Sequence, residues 1–507
     1  MDTQSPIFIG SQVGGSTVVN YAYTDQPWKL LAWDVYNFFR YLPAFPWVVA
    51  PLRPYDSGHL SELSPTPRNI WCLFIHSILF VLQAGFILSL PLALFLPVWI
   101  SIVAISTFFA VNGAICSLLN GKGDITYTSD EKYAPALPEH AHEQWIFVNG
   151  VSVGEHWLKN NLNRLALTFK RPVLGIHNRT WGILFDVVEC LVQRNLGYAT
   201  YDTRVCYRVV KEKLYDPKLS KVVLILHSQG GIEGGMVVDW ILQELPQDLL
   251  SKLEIYTFGN AANHFNNPHR HLVSQQLAKL DPDSAVETMT TTITQSSPVS
   301  SPTGEDFSSS PQPQSKRNSM TSIQTQSAAH DRAIAHIEHY AHVTDFVALW
   351  GILHFATSSL ASATVPRFIG RLFIRSSKRG GHQLCQHYLD GMFPLEKDSK
   401  TGEFVGAAES SEFMDSIVQL GLEGDASKNA REAFSISWLG DDGFGSGSVL
   451  DEVDVHDDTR MKLQDGKVVR VKDLSRLWLY RNGQCPEDFP PLLIAEPEDL
   501  ADGQEEK

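Results

Sequence analysis

Cysteine is scarce in this 507-residue chain, and its six copies (72, 116, 190, 206, 385 and 485) form no Cys-x-x-Cys pair. Such scatter excludes a disulfide framework and offers no zinc-site spacing; it points to a reducing compartment for the soluble part. No stripe of Lys and Arg is present, so a nucleic-acid partner is not expected. The opening Met1-Asp2-Thr3-Gln4-Ser5 lacks the basic and apolar regions of a signal peptide. The formal charge of −15 is uneven: residues 391–507 hold 12 Lys/Arg against 26 Asp/Glu. That surplus of acids describes a solvated C-terminal region, 396–507, rather than an acidic site.

The most consequential absence is charge between Asn69 and Gly121, where no Asp, Glu, Lys or Arg occurs. A transmembrane helix needs about 20 apolar residues, and each charge at mid-membrane costs about 2.5–3.5 kcal/mol. Pro91 and Pro97 divide the block into two predicted spans, Ile70–Leu90 and Pro97–Leu119. The segment 69–121 is therefore expected to be a transmembrane hairpin. A re-entrant hairpin in one leaflet and a buried soluble hairpin share its composition. Arg53 and Arg68 before it, with Lys122 and Lys132 after it, place both flanks in the cytosol under the positive-inside rule. Within the N-terminal segment 1–68, Trp28 to Pro54 is dense in aromatics: Trp33, Tyr36, Phe38, Phe39, Tyr41, Phe45 and Trp47. These fit an interfacial anchor or a packed cluster.

Past the hairpin, apolar strand patterns alternate with helical ones. Gln144 to Asn149 reads as a buried strand ending in an Asn149-Gly150 turn, and Trp157 to Phe169 as a helix. Pro172 to Asn178, Leu253 to Gly259, His336 to His342 and Arg367 to Arg375 read as further strands, and Trp181 to Gln193 as a helix. This alternation predicts an α/β fold with a mostly parallel sheet and helices on both faces. Residues 280–330, rich in Ser, Thr, Gln and Pro, are expected to be a disordered insertion. Lys467 to Tyr480 alternates as short strands would.

The richest stretch is Val223-Leu-Ile-Leu-His-Ser228-Gln-Gly230-Gly231. An apolar strand breaks off, glycines follow, and a helical pattern runs from Ile232 to Leu245. A serine at the apex of such a turn is held in a strained conformation that exposes its hydroxyl, the nucleophile elbow. The usual pattern is Gly-x-Ser-x-Gly; Gly230 supplies the second glycine, but Leu226 stands at the first small position. A glycine-rich turn with an incidental serine is the competing explanation.

The order of strand, Asn-Gly turn, elbow, late acid and later histidine resembles the α/β-hydrolase superfamily. Residues 140–395 are similar to its lipase-like serine esterases, membrane-associated fungal members included. The resemblance implies an α/β-hydrolase fold and a triad in the chain order Ser, Asp, His. Ser228 matches the nucleophile. No Asp or Glu lies between 255 and 280, and Asp281 and Asp283 open the insertion, so Asp345 is the candidate acid. Thr344 and Asp345 also precede an apolar helix, which suits an N-cap. His382, after Gly380-Gly381, is the candidate base and His387 the runner-up. Backbone N–H groups of Gln229 and Val151 are the candidate oxyanion donors. His336, His339 and His342 do not share one strand face, which argues against a metal site. No cofactor or metal is required. The implied function is hydrolysis of an ester in a lipid or other apolar acyl compound at a membrane. Acyl transfer, a hydrolase of specialised metabolism and a non-catalytic membrane scaffold remain open alternatives.

Overall fold

A computed structural model describes residues 5–10, 26–52, 55–270, 332–357, 370–377, 380–420, 453–455, 461–463 and 469–486. The predicted insertion 280–330 lies outside the described residues.

In chain order the strands that build the main sheet are β1 (Ile7–Ile9), β2 (Thr126–Thr128), β3 (Glu143–Val148), β4 (Val173–Ile176), β5 (Lys221–His227), β6 (Leu253–Phe258), β7 (His336–His342) and β8 (Arg371–Arg375). With Gln419–Leu420 at one edge they form a nine-stranded sheet. Strands β3 to β8 run parallel in the spatial order β8-β7-β6-β5-β3-β4. Strand β1, next to the Gln419–Leu420 edge, and the edge strand β2 pair antiparallel with β8 and β4. The molecule is thus α/β with a mostly parallel, mixed sheet.

The apolar runs become central strands because both of their faces are covered. Side chains alternate: Trp145 and Phe147 enter one core, Ile146 and Val148 the other. Helices α1 (Pro27–Tyr41), α2 (Pro67–Ser89), α3 (Val98–Asn120), α4 (Glu155–Phe169), α5 (Ile183–Leu196), α6 (Tyr201–Tyr215) and α7 (Gly230–Glu244) precede or link the strands. Helix α4 packs on the first face, and α5, α6 and α7 on the second. The chain goes from β3 outward to β4 and returns to β5 on the other side of β3. That reversal makes the carboxyl ends of β3 and β5 the topological switch point of the sheet, the place where open α/β sheets bind ligands.

Helices α2 and α3 are long and apolar enough to cross a membrane by length and composition. They fall within a residue or a few of the predicted spans.

One expectation is corrected. Lys467 to Tyr480 was expected to form short strands, but among its described residues, 469–480, Val471–Leu474 is a helical turn and Leu477–Gly483 a 3-10 helix. Its apolar residues pack on the sheet, and Arg476 pairs with the buried Glu254 at 3.0 Å. Val471, Leu474 and Trp478 also fit a helical period, and burial decided between the two. The polar segment before β3 contains the edge strand β2, whose Thr126-Tyr127-Thr128 is too short and too exposed to show an apolar run.

Candidate active site

Strand β5 is buried at every position, and only Ser228 and Gln229 separate it from α7. Ser228 occupies the turn at φ 58°, a left-handed conformation that costs a residue with a β-carbon about 1–3 kcal/mol. Surrounding backbone fixes it there. The Ser228 N–H donates to the Phe258 carbonyl at 3.0 Å, and the Ser228 carbonyl accepts from Gly231 and Ala261 at 3.0 and 3.1 Å. A Cβ at Gly230 would lie 2.6 Å from the Val148 carbonyl oxygen, and one at Gly231 2.0 Å from Asn260 Oδ1. These glycines let the helix start close against β3 and the loop after β6.

The structure brings Ser228, His382 and Asp345 together. Asp345 follows β7 and His382 follows β8, so parallel strands deliver both to the same sheet end. His382 Nδ1 lies 2.9 Å from Asp345 Oδ2, and His382 Nε2 2.9 Å from Ser228 Oγ. An ionised carboxylate only accepts, so Nδ1 carries the proton and Nε2 is free to accept from the serine hydroxyl. Asp345 is also the N-cap of the Phe346–Trp350 helix, with Oδ1 accepting from the Val347 and Ala348 N–H groups. Burial raises the Asp345 pKa, but His382 and the Tyr388 hydroxyl outweigh it and hold the carboxyl below its ordinary value. Tyr388 Oη donates to Asp345 Oδ2 at 2.7 Å.

The runner-up His387 does not reach Ser228. Its Nδ1 accepts from the Gln383 N–H at 2.9 Å, and its Nε2 lies 3.3 Å from the Pro51 carbonyl.

Sequence reasoning passed over three other residues of this site. His227 stacks on His382 with ring centroids 4.8 Å apart, and its Nε2 lies 2.9 Å from the His382 carbonyl. Burial, then the nearby His382, lowers the His227 pKa to about 3, so its ring is neutral and donates that bond. Its position beside Ser228 in the chain was the available signal. Gly259, at φ 54°, is the second: a Cβ there would lie 2.7 Å from Asp345 Oδ2 and 3.0 Å from His382 Nδ1. Tyr388 is the third, and nothing in its sequence surroundings marks it.

The turn after β3 runs against Ser228. A Cβ at Gly150 would lie 2.3 Å from Ser228 Cβ. Among the described residues the N–H groups of Gln229 and Val151 have no acceptor. Side chains tie these two backbone segments together. Asn149 Nδ2 donates to the Gly150 and Asn178 carbonyls, and Asn149 Oδ1 accepts from the Asn178 N–H. Asn178 Nδ2 donates to Gln229 Oε1 at 2.8 Å, and Gln229 Nε2 donates to Glu189 Oε1 at 2.8 Å. Burial, then Asp202 and Asp186, push the Glu189 carboxyl up to about 7. Asp186, raised to about 6 mainly by burial, accepts from the Ser152 and Trp181 N–H groups at 2.8 Å each.

Among the described residues, His140, Glu143 and Cys485 form a cluster of potential metal ligands. It lies at the opposite end of β3, where Arg171 Nε already donates to Glu143 at 2.6 Å.

No protein-family model matches the chain, and neither a curated protein nor a solved structure matches it.

Proposed function

We propose that this protein is a membrane-associated serine hydrolase of the α/β-hydrolase type, cleaving esters of lipids or other apolar acyl compounds. One observation carries the reading: an unbroken relay from Asp345 through His382 to Ser228 at 2.9 Å per step, ending on a serine held at φ 58°. A structural serine has no need of a strained backbone and a histidine whose other nitrogen is fixed by a buried acid.

The chemistry follows from the geometry. Ser228 Oγ attacks the ester carbonyl carbon while its proton passes to His382 Nε2. The imidazolium so formed is stabilised by Asp345, and the oxyanion is held by the N–H groups of Gln229 and Val151. One such donor is worth about 2.7–4 kcal/mol in the transition state. Collapse expels the alcohol, which takes the proton from His382, and leaves an acyl-serine. Water, deprotonated by the same histidine, releases the acid and restores the enzyme.

Preference for an apolar acyl chain rests on the charge-free hairpin of α2 and α3 beside the catalytic body. The test is hydrolysis of p-nitrophenyl esters by protein reconstituted in vesicles. Turnover that rises from acetyl to long acyl chains and vanishes in Ser228→Ala supports the proposal; equal rates in Ser228→Ala remove it.

A further inference from the structure

Helix α1 is amphipathic in the reverse sense. Its buried residues are Asp34 and Asn37. Asp34 accepts from Arg194 at 3.1 Å and Asn195 at 2.7 Å, and Asn37 lies 3.2 Å from His354. The opposite face exposes Trp28, Trp33, Tyr36 and Phe39, and the 3-10 turn Leu42–Val48 adds Phe45 and Trp47. A helix lying against water presents the opposite arrangement, and so large an apolar patch marks an interaction surface. Between Pro27 and Leu52 the charged residues are Lys29, Arg40 and Asp34. The acid is turned inward and ion-paired, so the outward charge is basic and suits anionic headgroups.

The hairpin changes character at Gln83 and Asn112. On the body side of these residues, Cys72, Ile75 and Leu79 of α2 and Cys116 and Leu119 of α3 are buried. Gln83 Nε2 donates to Asn112 Oδ1 at 2.9 Å, and both side chains donate to the Trp181 carbonyl, at 2.5 and 3.1 Å. Gln83 Oε1 accepts from the Leu184 N–H at 3.3 Å. Hydrocarbon offers an amide no such partners. Beyond this point no residue from Ala84 to Val111 is buried, and Leu94 and Phe95 at the turn are 85 % and 84 % exposed. Phe185 of α5 still meets Phe86, Phe108 and Phe109 just past the two amides, so the free part runs from Ile87 to Thr107 and by helical rise is about 16 Å long. It reaches the midplane of a hydrocarbon core about 30 Å thick but cannot cross it while Gln83 and Asn112 stay docked. Helices α1 and α2 both pack on α5, so the reversed helix and the hairpin flank one helix of the body.

We infer that α1, its following turn and the free half of the hairpin form one docking surface for a single leaflet of a lipid bilayer. The hairpin enters and leaves on the same side, and the protein is monotopic. This rests on the membrane-associated reading above and replaces two spanning helices with a half-inserted pair.

Depth measurement tests it. Leu94→Cys is made in a Cys485→Ser background, since the other five cysteines are buried, and is labelled with the fluorophore NBD. The full chain is reconstituted in phosphatidylcholine–phosphatidylserine vesicles containing lipids spin-labelled at defined depths. The label is expected to lose most fluorescence to a mid-chain nitroxide and none to dithionite on either side of the membrane. A label at Tyr36→Cys is expected to lose most to a nitroxide near the headgroup. Bleaching of the position-94 label by dithionite confined to the lumen means a full crossing and overturns the inference alone, as does bleaching from outside. Failure of soluble, monodisperse protein to float with vesicles overturns the inference and the membrane reading together.

Discussion

Leu226 and Gly234 are fitted to each other: a Cβ built on Gly234 would lie 2.2 Å from Leu226 Cδ1. The first small position of the elbow is taken by leucine, and the space it needs is provided on the facing turn of α7. Leu226 is completely buried, so its side chain has nowhere to withdraw.

Gly234→Ala is therefore expected to destabilise the fold by about 1–3 kcal/mol through overpacking, read as a lower denaturation midpoint. Leu226→Ala removes the obstruction, so the double variant should lose less than the two single losses combined. Additive losses would contradict this account of the elbow.

Asp345→Asn should reduce kcat on the order of 10³–10⁴-fold, because an amide no longer fixes the His382 tautomer. Tyr388→Phe removes one donor from the same carboxylate and should cost about tenfold or less. Steady-state ester hydrolysis measures both. Undiminished turnover in Asp345→Asn would take the acid out of the relay.

Asn178 is a positioning residue in this account, since it touches Gln229 and Asn149 but not the reacting atoms. Asn178→Ala should lower kcat by roughly tenfold to a hundredfold through misplaced oxyanion donors, with KM little changed. A rise in KM at constant kcat would mean that Asn178 shapes the substrate pocket instead.

The central strands and the elbow were legible in the sequence because strands covered on both faces are written as unbroken apolar runs. That Ser228 and His382 meet was legible from chain order and flanking glycines, and Asp345 from the lack of acids between 255 and 280 and from its place after a strand. Less was visible where tertiary packing decides. Helix α6 sets its buried Val205, Cys206, Val209, Val210 and Leu214 among charged residues, and β1 is three residues long. Asn178 and Glu189 are ordinary polar residues in sequence, and the fold alone brings them to Gln229. The aromatics of α1 left anchor and core equally open, because only the burial of Asp34 and Asn37 reveals which face turns inward.

Glu62 sets a pH dependence of stability. Burial pushes its carboxyl from 4.5 to about 7, against an opposing bond from the Cys385 N–H. Above about pH 4.5 the unfolded chain gives up a proton that the folded chain keeps, so stability falls as pH rises toward 7. Glu62→Gln is neutral at every pH and should be the more stable protein at pH 8, by up to about 3 kcal/mol. At pH 4 the two should converge. Thermal unfolding at both pH values checks this, and a variant less stable than wild type at pH 8 would refute it. Asp186 and Glu189 are raised in the same way, so the slope should shrink rather than vanish.

The most direct test of the central claim is labelling of the vesicle-bound protein by a fluorophosphonate probe, with Ser228→Ala alongside. An activated serine is predicted to label rapidly in the wild type and not at all in Ser228→Ala. Wild-type protein that is folded and membrane-bound yet stays unlabelled, or a Ser228→Ala variant that labels as well, would contradict it.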